Sequence, residues 1–251
     1  MTTRSSAACC SRPVAVTSGY TAKGPYRTIG GTKCYVSGPH DATKAVYYMY
    51  DIFGYTDQTI QGADILASGG KEPYLVIIPD LLEGKPAEPA WMGRDTEEKK
   101  EQFAQFMTRI QDPAPHIECI YSVLDAAKKE YSGVEKWAAI GYCWGGKLVS
   151  LTSGANSPWT VAVETSPARV TAEDAKKITI PLAMLASKDE KADDVKAFGE
   201  ALTAAKHIET FGDQVHGWMS ARADLSDEKV KSEYERGYQV TLDFLAKHLG
   251  A

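Results

Sequence analysis

Short apolar runs alternate with longer segments of helical periodicity along most of this chain. Six runs rich in β-branched, aromatic or apolar residues and bounded by turn residues predict strands at 45–51, 74–79, 137–140, 160–164, 180–186 and 206–211. Between these runs, apolar residues recur at helical spacing over 117–124 and 195–205. A last apolar stripe over 230–249 predicts a final helix of about six turns, with Ser226 and Asp227 as its expected caps.

This alternation predicts an α/β fold. Short strands separated by helices imply βαβ crossovers, and hence a mainly parallel central sheet with helices on both faces, as in a three-layer sandwich. The chain shows no internal repeat and no shift in composition, so we expect one domain over residues 20–251, preceded by a mobile N-terminal segment at 1–19. In such sheets, functional residues gather at the carboxyl ends of the strands.

Composition and charge exclude several classes of protein. With 251 residues, 43% of them hydrophobic, the chain is large enough to bury a full core. Its formal net charge of −5 and the lack of a basic run give no reason to expect a nucleic-acid partner. The most apolar stretch, 73–79, is much shorter than the roughly 20 residues that a bilayer span needs, so we expect no membrane insertion.

The cysteines suggest a reducing compartment. Their number is odd and no C-x-x-C spacing occurs, which disfavours a disulfide framework and a zinc site: Cys9, Cys10, Cys34, Cys119 and Cys143. Residues 1–12 contain Arg and Ser but no apolar run, so we expect a cytoplasmic protein, with mitochondrial targeting as the alternative. The adjacent Cys9 and Cys10 are either two small residues of the terminus or a redox or metal-capturing pair.

The segment Gly141-Tyr142-Cys143-Trp144-Gly145-Gly146 carries the clearest chemical signal. It follows the predicted strand 137–140 and precedes a segment, 147–153, that we interpret as a helix. The pattern G-x-nucleophile-x-G between a strand and a helix is typical of a nucleophile elbow. Cys143 occupies the central position, where the N-terminus of the following helix favours a thiolate and binds a developing oxyanion. The alternative is a small buried cysteine in a glycine-rich turn.

A thiol nucleophile needs a base and an acid that orients this base. His216 is the candidate base, because it lies in the loop after the last predicted strand. We interpret the other four histidines as surface or capping residues: His40, His116, His207 and His248. Asp189 is the candidate acid because, in a run of carboxylates that includes Glu190, Asp193 and Asp194, it lies nearest to the end of strand 180–186. The resulting order, nucleophile, acid and then histidine, is that of α/β-hydrolases.

From about Gly30 onward, the sequence resembles the dienelactone hydrolase family, and its fungal-type members in particular. Four motifs carry the resemblance: Asp51-Ile52-Phe53-Gly54, Ile78-Pro79-Asp80, the Cys143 elbow and His216-Gly217-Trp218. The resemblance implies an α/β-hydrolase fold and a triad of Cys143, Asp189 and His216. It also implies that no cofactor or metal takes part, that a small unsaturated lactone is opened through an acyl-enzyme, and that the backbone N–H groups of Ile52 and Trp144 form the oxyanion hole.

The chain departs from the bacterial members of this family at two places. Those members have a glutamate, thought to help ionise the thiol, where this chain has Asp51, which makes Asp51 the thiol-activating candidate. They also clamp the substrate carboxylate with arginines, one of them in the stretch where this chain offers Lys85. Arg222 is a second candidate for that carboxylate, the alternative being a solvated loop arginine.

We therefore predict a cysteine-dependent hydrolase of a small lactone or ester, with Trp91, Trp144 and Trp218 lining an apolar substrate pocket. One alternative is an acyl or thioester hydrolase of fungal secondary metabolism that uses the same triad. A hydrolase-fold protein that only binds a ligand or senses redox state is another. No dinucleotide-binding glycine motif, P-loop or metal-binding motif occurs. The sequence leaves open whether the protein is a monomer or a homodimer.

Overall fold

The computed structural model describes residues 19–250. The predicted mobile segment at 1–19, with Cys9 and Cys10, therefore lies outside the described residues apart from Gly19. The remaining cysteines, Cys34, Cys119 and Cys143, form no disulfide with one another.

Over residues 19–250, eight strands form one mostly parallel sheet. The strands are β1 (Tyr26–Ile29), β2 (Thr32–Ser37), β3 (Lys44–Met49), β4 (Leu75–Pro79), β5 (Lys136–Tyr142), β6 (Val161–Thr165), β7 (Leu182–Ser187) and β8 (Lys206–Phe211). Their order across the sheet is β1-β2-β4-β3-β5-β6-β7-β8, and only the pairings of β1 with β2 and of β2 with β4 are antiparallel. The six predicted strands correspond to β3–β8, which confirms the mainly parallel sheet.

Seven α-helices accompany this sheet in the described part of the chain. They are α1 (Asp57–Ser68), α2 (Glu97–Arg109), α3 (Ala114–Glu130), α4 (Trp144–Thr152), α5 (Ala172–Ala175), α6 (Ala192–Ala201) and α7 (Glu228–Leu249). α1 and α7 pack together on one face of the sheet, and α3, α4, α5 and α6 contact one another in succession on the other. The expected three layers are therefore present. None of these helices is both long and apolar enough to cross a bilayer.

The final helix begins as its sequence predicts. Asp227 is the N-cap of α7, and its carboxylate accepts hydrogen bonds from the backbone N–H groups of Lys229 and Val230. Ser226 lies one residue earlier and bonds to Asp224 instead. The sequence analysis missed β1 and β2, because these short strands form the antiparallel edge of the sheet and β1 is mostly exposed.

The parallel arrangement brings six strand ends to one edge of the sheet. Asp51 follows β3, Cys143 follows β5, Asp189 and Glu190 follow β7, and His216 follows β8. The backbone of each strand is paired on both sides except at β8, so these ends have defined positions. The fold therefore gathers the candidate residues at the carboxyl edge, as is general for sheets of this type.

A carboxylic acid is buried beneath α4. Glu164 of β6 has 0% of its surface exposed and accepts a hydrogen bond from the Ser150 hydroxyl of α4. Burial raises the pKa of Glu164 to about 8, while the Ser150 hydrogen bond acts in the opposite direction. Nearby, Lys147 of α4 forms a salt bridge of 2.7 Å with Asp174 of α5, and these two charges act on Glu164 in opposite senses. Glu164 is therefore protonated in the folded protein at neutral pH.

This acid makes stability depend on pH. Because the pKa of Glu164 is about 8 in the folded protein and near its ordinary value of 4.5 when unfolded, the folded state binds one more proton between these values. Its contribution to the free energy of unfolding is therefore lost as pH rises from 4.5 to about 8. We expect Glu164→Gln to remove this slope and to raise the free energy of unfolding at pH 7 by about 1–3 kcal/mol.

Urea unfolding of both proteins between pH 5 and pH 8.5 measures this effect. Glu173→Gln is the matched control, because Glu173 is exposed on α5 and pairs only with Lys176 on the surface. Equal pH slopes for the wild type and Glu164→Gln would contradict the assignment of a protonated Glu164.

Candidate active site

Cys143 occupies a strained turn between a strand and a helix. It lies between Tyr142, the last residue of β5, and Trp144, the first residue of α4, with a φ of 52° and a ψ of −113°. A β-carbon on Gly141 would lie 2.3 Å from the Gly145 carbonyl oxygen, and one on Gly145 would lie 2.1 Å from the Met49 carbonyl oxygen. A side chain at either position would overlap a carbonyl oxygen, so both residues must be glycine. A non-glycine residue at positive φ in such a turn is a frequent feature of functional sites.

Main-chain hydrogen bonds hold Cys143 on both sides. Its N–H donates to the Thr165 carbonyl at 3.1 Å, and its carbonyl accepts from the N–H groups of Gly146 and Ala168 at 3.1 and 2.9 Å. Ser166, between these contacts, also has a positive φ of 42°. The end of β6 and the residues after it thus hydrogen-bond to the main chain of the elbow. The Cys143 residue is only 3% exposed.

The predicted oxyanion donors belong to adjacent elements. Trp144 is the first residue of α4, so its N–H has no acceptor within the helix. Ile52 lies in the turn after β3, where its carbonyl accepts from the Ala87 N–H at 2.8 Å. The close approach of Gly145 to the Met49 and Tyr50 carbonyls places the start of α4 beside this turn. The two segments that carry the predicted donors therefore lie side by side.

The His216 imidazole contacts Glu190. Its Nδ1 lies 2.6 Å from Glu190 Oε1, and both side chains are nearly buried. The second oxygen of Glu190 accepts from the Ser187 N–H. A carboxylate on Nδ1 selects the tautomer and the orientation of an imidazole that works as a base through Nε2.

Asp189 has a different position from the one expected of the orienting acid. Its Oδ2 accepts from the backbone N–H of His216 at 2.8 Å, so it holds the main chain of the histidine. β7 ends at Ser187, and the tight turn that follows directs the two neighbouring carboxylates to different atoms of the same residue. Because Asp189 and Glu190 are neighbours in the sequence, their distance from the end of β7 could not show which carboxylate contacts the imidazole. The structure thus places the Glu190 carboxylate on the imidazole, and Asp189 as the orienting acid stays a prediction.

The loop that carries His216 crosses the carboxyl edge of the sheet. β8 is an edge strand separated from β3 by β7, β6 and β5. After β8 the chain nevertheless reaches the end of β3, where the Ser220 hydroxyl and the Ala221 N–H donate to Asp51 Oδ2 at 2.7 and 3.2 Å. Its course passes the end of β5. Cys143 and His216 therefore lie at the same edge of the sheet.

Asp51 and Arg222 are two buried residues of opposite charge at this edge. Asp51 is 3% exposed, and its Oδ1 accepts from the Phe53 N–H at 2.8 Å. Burial raises the pKa of Asp51, and the bonds from Ser220, Phe53 and Ala221 and the charge of Arg222 oppose this rise. Arg222 is 6% exposed, so the alternative of a solvated loop arginine is wrong.

The remaining predicted pocket residues separate into two groups. Trp218 is 0% exposed and packs on Phe211, with ring centroids 4.3 Å apart, so it belongs to the core, and its role in lining a pocket stays a prediction. Trp91 is half-buried, with its ring 6.2 Å from that of Phe106 in α2. Lys85 is exposed, and its carbonyl accepts from the Arg109 side chain. Trp91 and Lys85 therefore belong to the long connection between β4 and α3.

His116 lies beside the elbow, which the sequence analysis missed. The edge of its ring faces the Trp144 indole, with centroids 4.8 Å apart and planes at 89°, and its Nδ1 is 3.1 Å from the Leu81 carbonyl oxygen. Burial lowers the pKa of His116. No motif in the sequence indicates this contact, because it arises when α3 packs beside α4.

Over residues 19–250, no group of three or more His, Cys, Asp or Glu side chains could hold a metal ion.

Comparisons with known proteins find one matching family model and several similar proteins. The model of the dienelactone hydrolase family matches residues 32–249. An uncharacterized AIM2 family protein of Schizosaccharomyces pombe is 33% identical over 247 residues, which cover 95% of this chain and 98% of that protein. A carboxymethylenebutenolidase homolog of Xenopus tropicalis is 36% identical over 129 residues, 51% of this chain and 48% of that protein.

A solved structure confirms the predicted fold. A Klebsiella pneumoniae protein assigned as a dienelactone hydrolase matches this chain with a TM-score of 0.71, at 19% identity, over 89% of this chain and 98% of that one. At this identity the likeness concerns the fold alone. The eight-stranded, mostly parallel sheet is that of an α/β-hydrolase.

The two carboxylates beside His216 make a testable distinction. Glu190→Gln removes the charged partner of the ring, so we expect the kcat/KM for an activated ester to fall by about 100-fold or more. Asp189→Asn keeps an oxygen that accepts the His216 N–H, so we expect a loss of less than about tenfold. Steady-state kinetics of both variants, with Tm values as a check on folding, measure the difference. A larger loss in Asp189→Asn than in Glu190→Gln would make Asp189 the orienting acid.

Proposed function

This chain belongs to the dienelactone hydrolase family, and we propose that it hydrolyses a small lactone or ester through an acyl-enzyme on Cys143. The family supports ester or lactone hydrolysis as the class of reaction. The name of the Xenopus relative, carboxymethylenebutenolidase homolog, supports an unsaturated lactone as the substrate. The observation that carries the proposal is the positive φ of Cys143 at a strand-to-helix elbow, on the same sheet edge as the His216–Glu190 pair.

In the first half of the reaction, His216 accepts the thiol proton while Cys143 Sγ attacks the substrate carbonyl. Glu190, bonded to Nδ1 of His216, stabilises the imidazolium that forms. The negative charge that develops on the carbonyl oxygen faces the N–H groups of Trp144 and Ile52. The tetrahedral adduct then collapses, the C–O bond breaks, and His216 returns its proton to the leaving oxygen. For a lactone, this leaving oxygen remains attached to the acyl group, so the ring opens on the enzyme.

In the second half, water attacks the thioester. His216 accepts a proton from this water, and the same two N–H groups receive the oxyanion again. Collapse releases the carboxylic acid and regenerates the thiol, with His216 returning the proton to Sγ. The net reaction consumes one water for each ester bond and requires no redox change.

The substrate contacts are part of the same proposal. Trp91 is half-buried on the connection before α2 and offers an apolar wall for a ring or an unsaturated chain. Lys85, exposed on the same connection, offers a positive charge to a substrate carboxylate. Arg222 is buried and its charge opposes the rise in the pKa of Asp51, whereas Lys85 is exposed, so we favour Lys85 as the contact for a substrate carboxylate.

The nucleophile is tested with an activated ester such as p-nitrophenyl acetate. We expect a burst of one equivalent of p-nitrophenol per enzyme, because acylation of a thiol precedes hydrolysis of the thioester. Cys143→Ala and His216→Ala should abolish the burst and reduce kcat by at least about 1000-fold. Cys119→Ala is the matched control, because Cys119 is a half-buried thiol near Thr32 of β2 and should be dispensable. Turnover that survives in Cys143→Ala excludes the proposed acyl-enzyme.

The pocket residue is tested once a substrate has been found among lactones, aryl esters and acyl thioesters. Trp91→Ala removes the apolar wall, so we expect KM to rise by about tenfold while kcat changes little. Trp91→Phe keeps an aromatic surface and should restore most of the affinity. An unchanged KM in Trp91→Ala would remove Trp91 from the substrate site.

A further inference from the structure

We propose that Asp51 is a positioning residue whose carboxylate ties the loop carrying His216 to the end of β3. This role rests on the proposed function, because it matters for catalysis only if His216 is the base. The tie itself is a property of the fold. It assigns Asp51 a task other than the ionisation of the thiol suggested by the family resemblance.

The contacts of Asp51 are directed towards the loop. Oδ2 accepts from both the Ser220 hydroxyl and the Ala221 N–H, which lie 169 and 170 positions away in the sequence. Oδ1 accepts from the Phe53 N–H within the turn after β3. One oxygen thus bonds the distant loop, and the other holds the carboxylate in place. The side chains of Asp51 and Ser220 are both buried, so water does not compete effectively for these hydrogen bonds.

The loop needs support on the side of β3. It starts at β8, at the edge of the sheet, and reaches across the ends of three other strands. On the side of β7, the Asp189 carboxylate accepts the His216 N–H. On the side of β3, the Asp51 carboxylate accepts the Ala221 N–H. Two carboxylates from different strand ends therefore bind main-chain N–H groups on either side of the Gly217 turn, and His216 is one of the two anchored residues.

The segment between these two anchors is compact. Gly217 has a φ of 85°, and its carbonyl accepts from the N–H groups of Ser220 and Arg222. Trp218 is buried against Phe211, which fixes the middle of the segment in the core. A shift at Ser220 and Ala221 is therefore transmitted to His216 over only four residues. This rigid coupling makes the Asp51 contacts relevant to the position of the imidazole.

The same contacts argue against Asp51 as the base for the thiol. The hydrogen bonds from Phe53 and Ala221, which are main-chain groups in ordered turns, stabilise the ionised carboxylate, and protonation of Asp51 would weaken them. The Arg222 charge in the same loop favours the ionised carboxylate, which is the form that accepts these bonds. A tether uses all of these interactions, whereas a base would disrupt them.

The proposal is tested with Asp51→Asn and Ser220→Ala in the full-length protein. Hydrogen–deuterium exchange measures loop 212–224, and we expect roughly tenfold faster exchange there in both variants, because both oxygens of Asp51 accept hydrogen bonds and an amide can replace only one of them. We expect kcat for the activated ester to fall while KM changes little, since the base is displaced and the substrate contacts are not. The pH profile of Cys143 alkylation by iodoacetamide should keep the wild-type midpoint.

Ser37→Ala is the matched control. Ser37 is also a buried serine that donates to a buried carboxylate, Asp64, at 2.5 Å. It pairs with Val76 near the start of β4, which is the opposite edge of the parallel sheet from Cys143. We expect Ser37→Ala to leave the exchange of loop 212–224 and kcat at wild-type values.

Two results would overturn the proposal. One is wild-type exchange of loop 212–224 in either Asp51→Asn or Ser220→Ala. The other is an upward shift of the alkylation midpoint in Asp51→Asn with an unaltered kcat in Ser220→Ala, which would make Asp51 the activator of the thiol. Failure of the proposed function has a different signature, namely turnover that persists in Cys143→Ala, and the exchange data are independent of it.

Discussion

The close approach of α4 to the end of β3 is the constraint on which the rest of the site depends. Gly145 lies against the Met49 and Tyr50 carbonyls at a distance that no β-carbon would allow. This approach obliges the chain to turn sharply at Cys143, which takes up a positive φ, and it brings the start of α4 beside the Asp51–Ile52 turn. One backbone contact thus determines where the thiol lies and which N–H groups surround it.

The second organising element is a loop held by carboxylates. The chain after β8 would otherwise be an edge loop, but Asp189, Glu190 and Asp51 each bind a group within 216–221. These acids come from the ends of β7 and β3, so the sheet itself is the frame that positions His216. Buried carboxylates need such partners, because an ionised group without hydrogen bonds is costly in the interior. The requirements of burial and of catalysis are therefore met by the same contacts.

Much of this arrangement could be predicted from local patterns. The strands β3–β8 are apolar runs of the length expected for a buried parallel sheet, and α7 has a clear apolar stripe and an aspartate cap. The glycines around Cys143 indicate an elbow because their spacing is typical of this turn, and the contact of Gly141 with Gly145 lies within the segment itself. By contrast, β1 and β2 lack such a pattern, since an antiparallel edge is only partly buried and its pairing depends on distant strands.

The sequence by itself determined the α/β class, the elbow at Cys143 and the edge of the sheet where His216 lies, because each follows from periodicity or from sterics among near neighbours. Only the tertiary structure decided that Glu190 contacts the imidazole, that Trp218 lies in the core and that His116 faces Trp144. These outcomes depend on the directions of side chains from separate elements after packing. A short-range pattern does not contain those directions, since they are set by which helix or loop each strand end meets across the sheet.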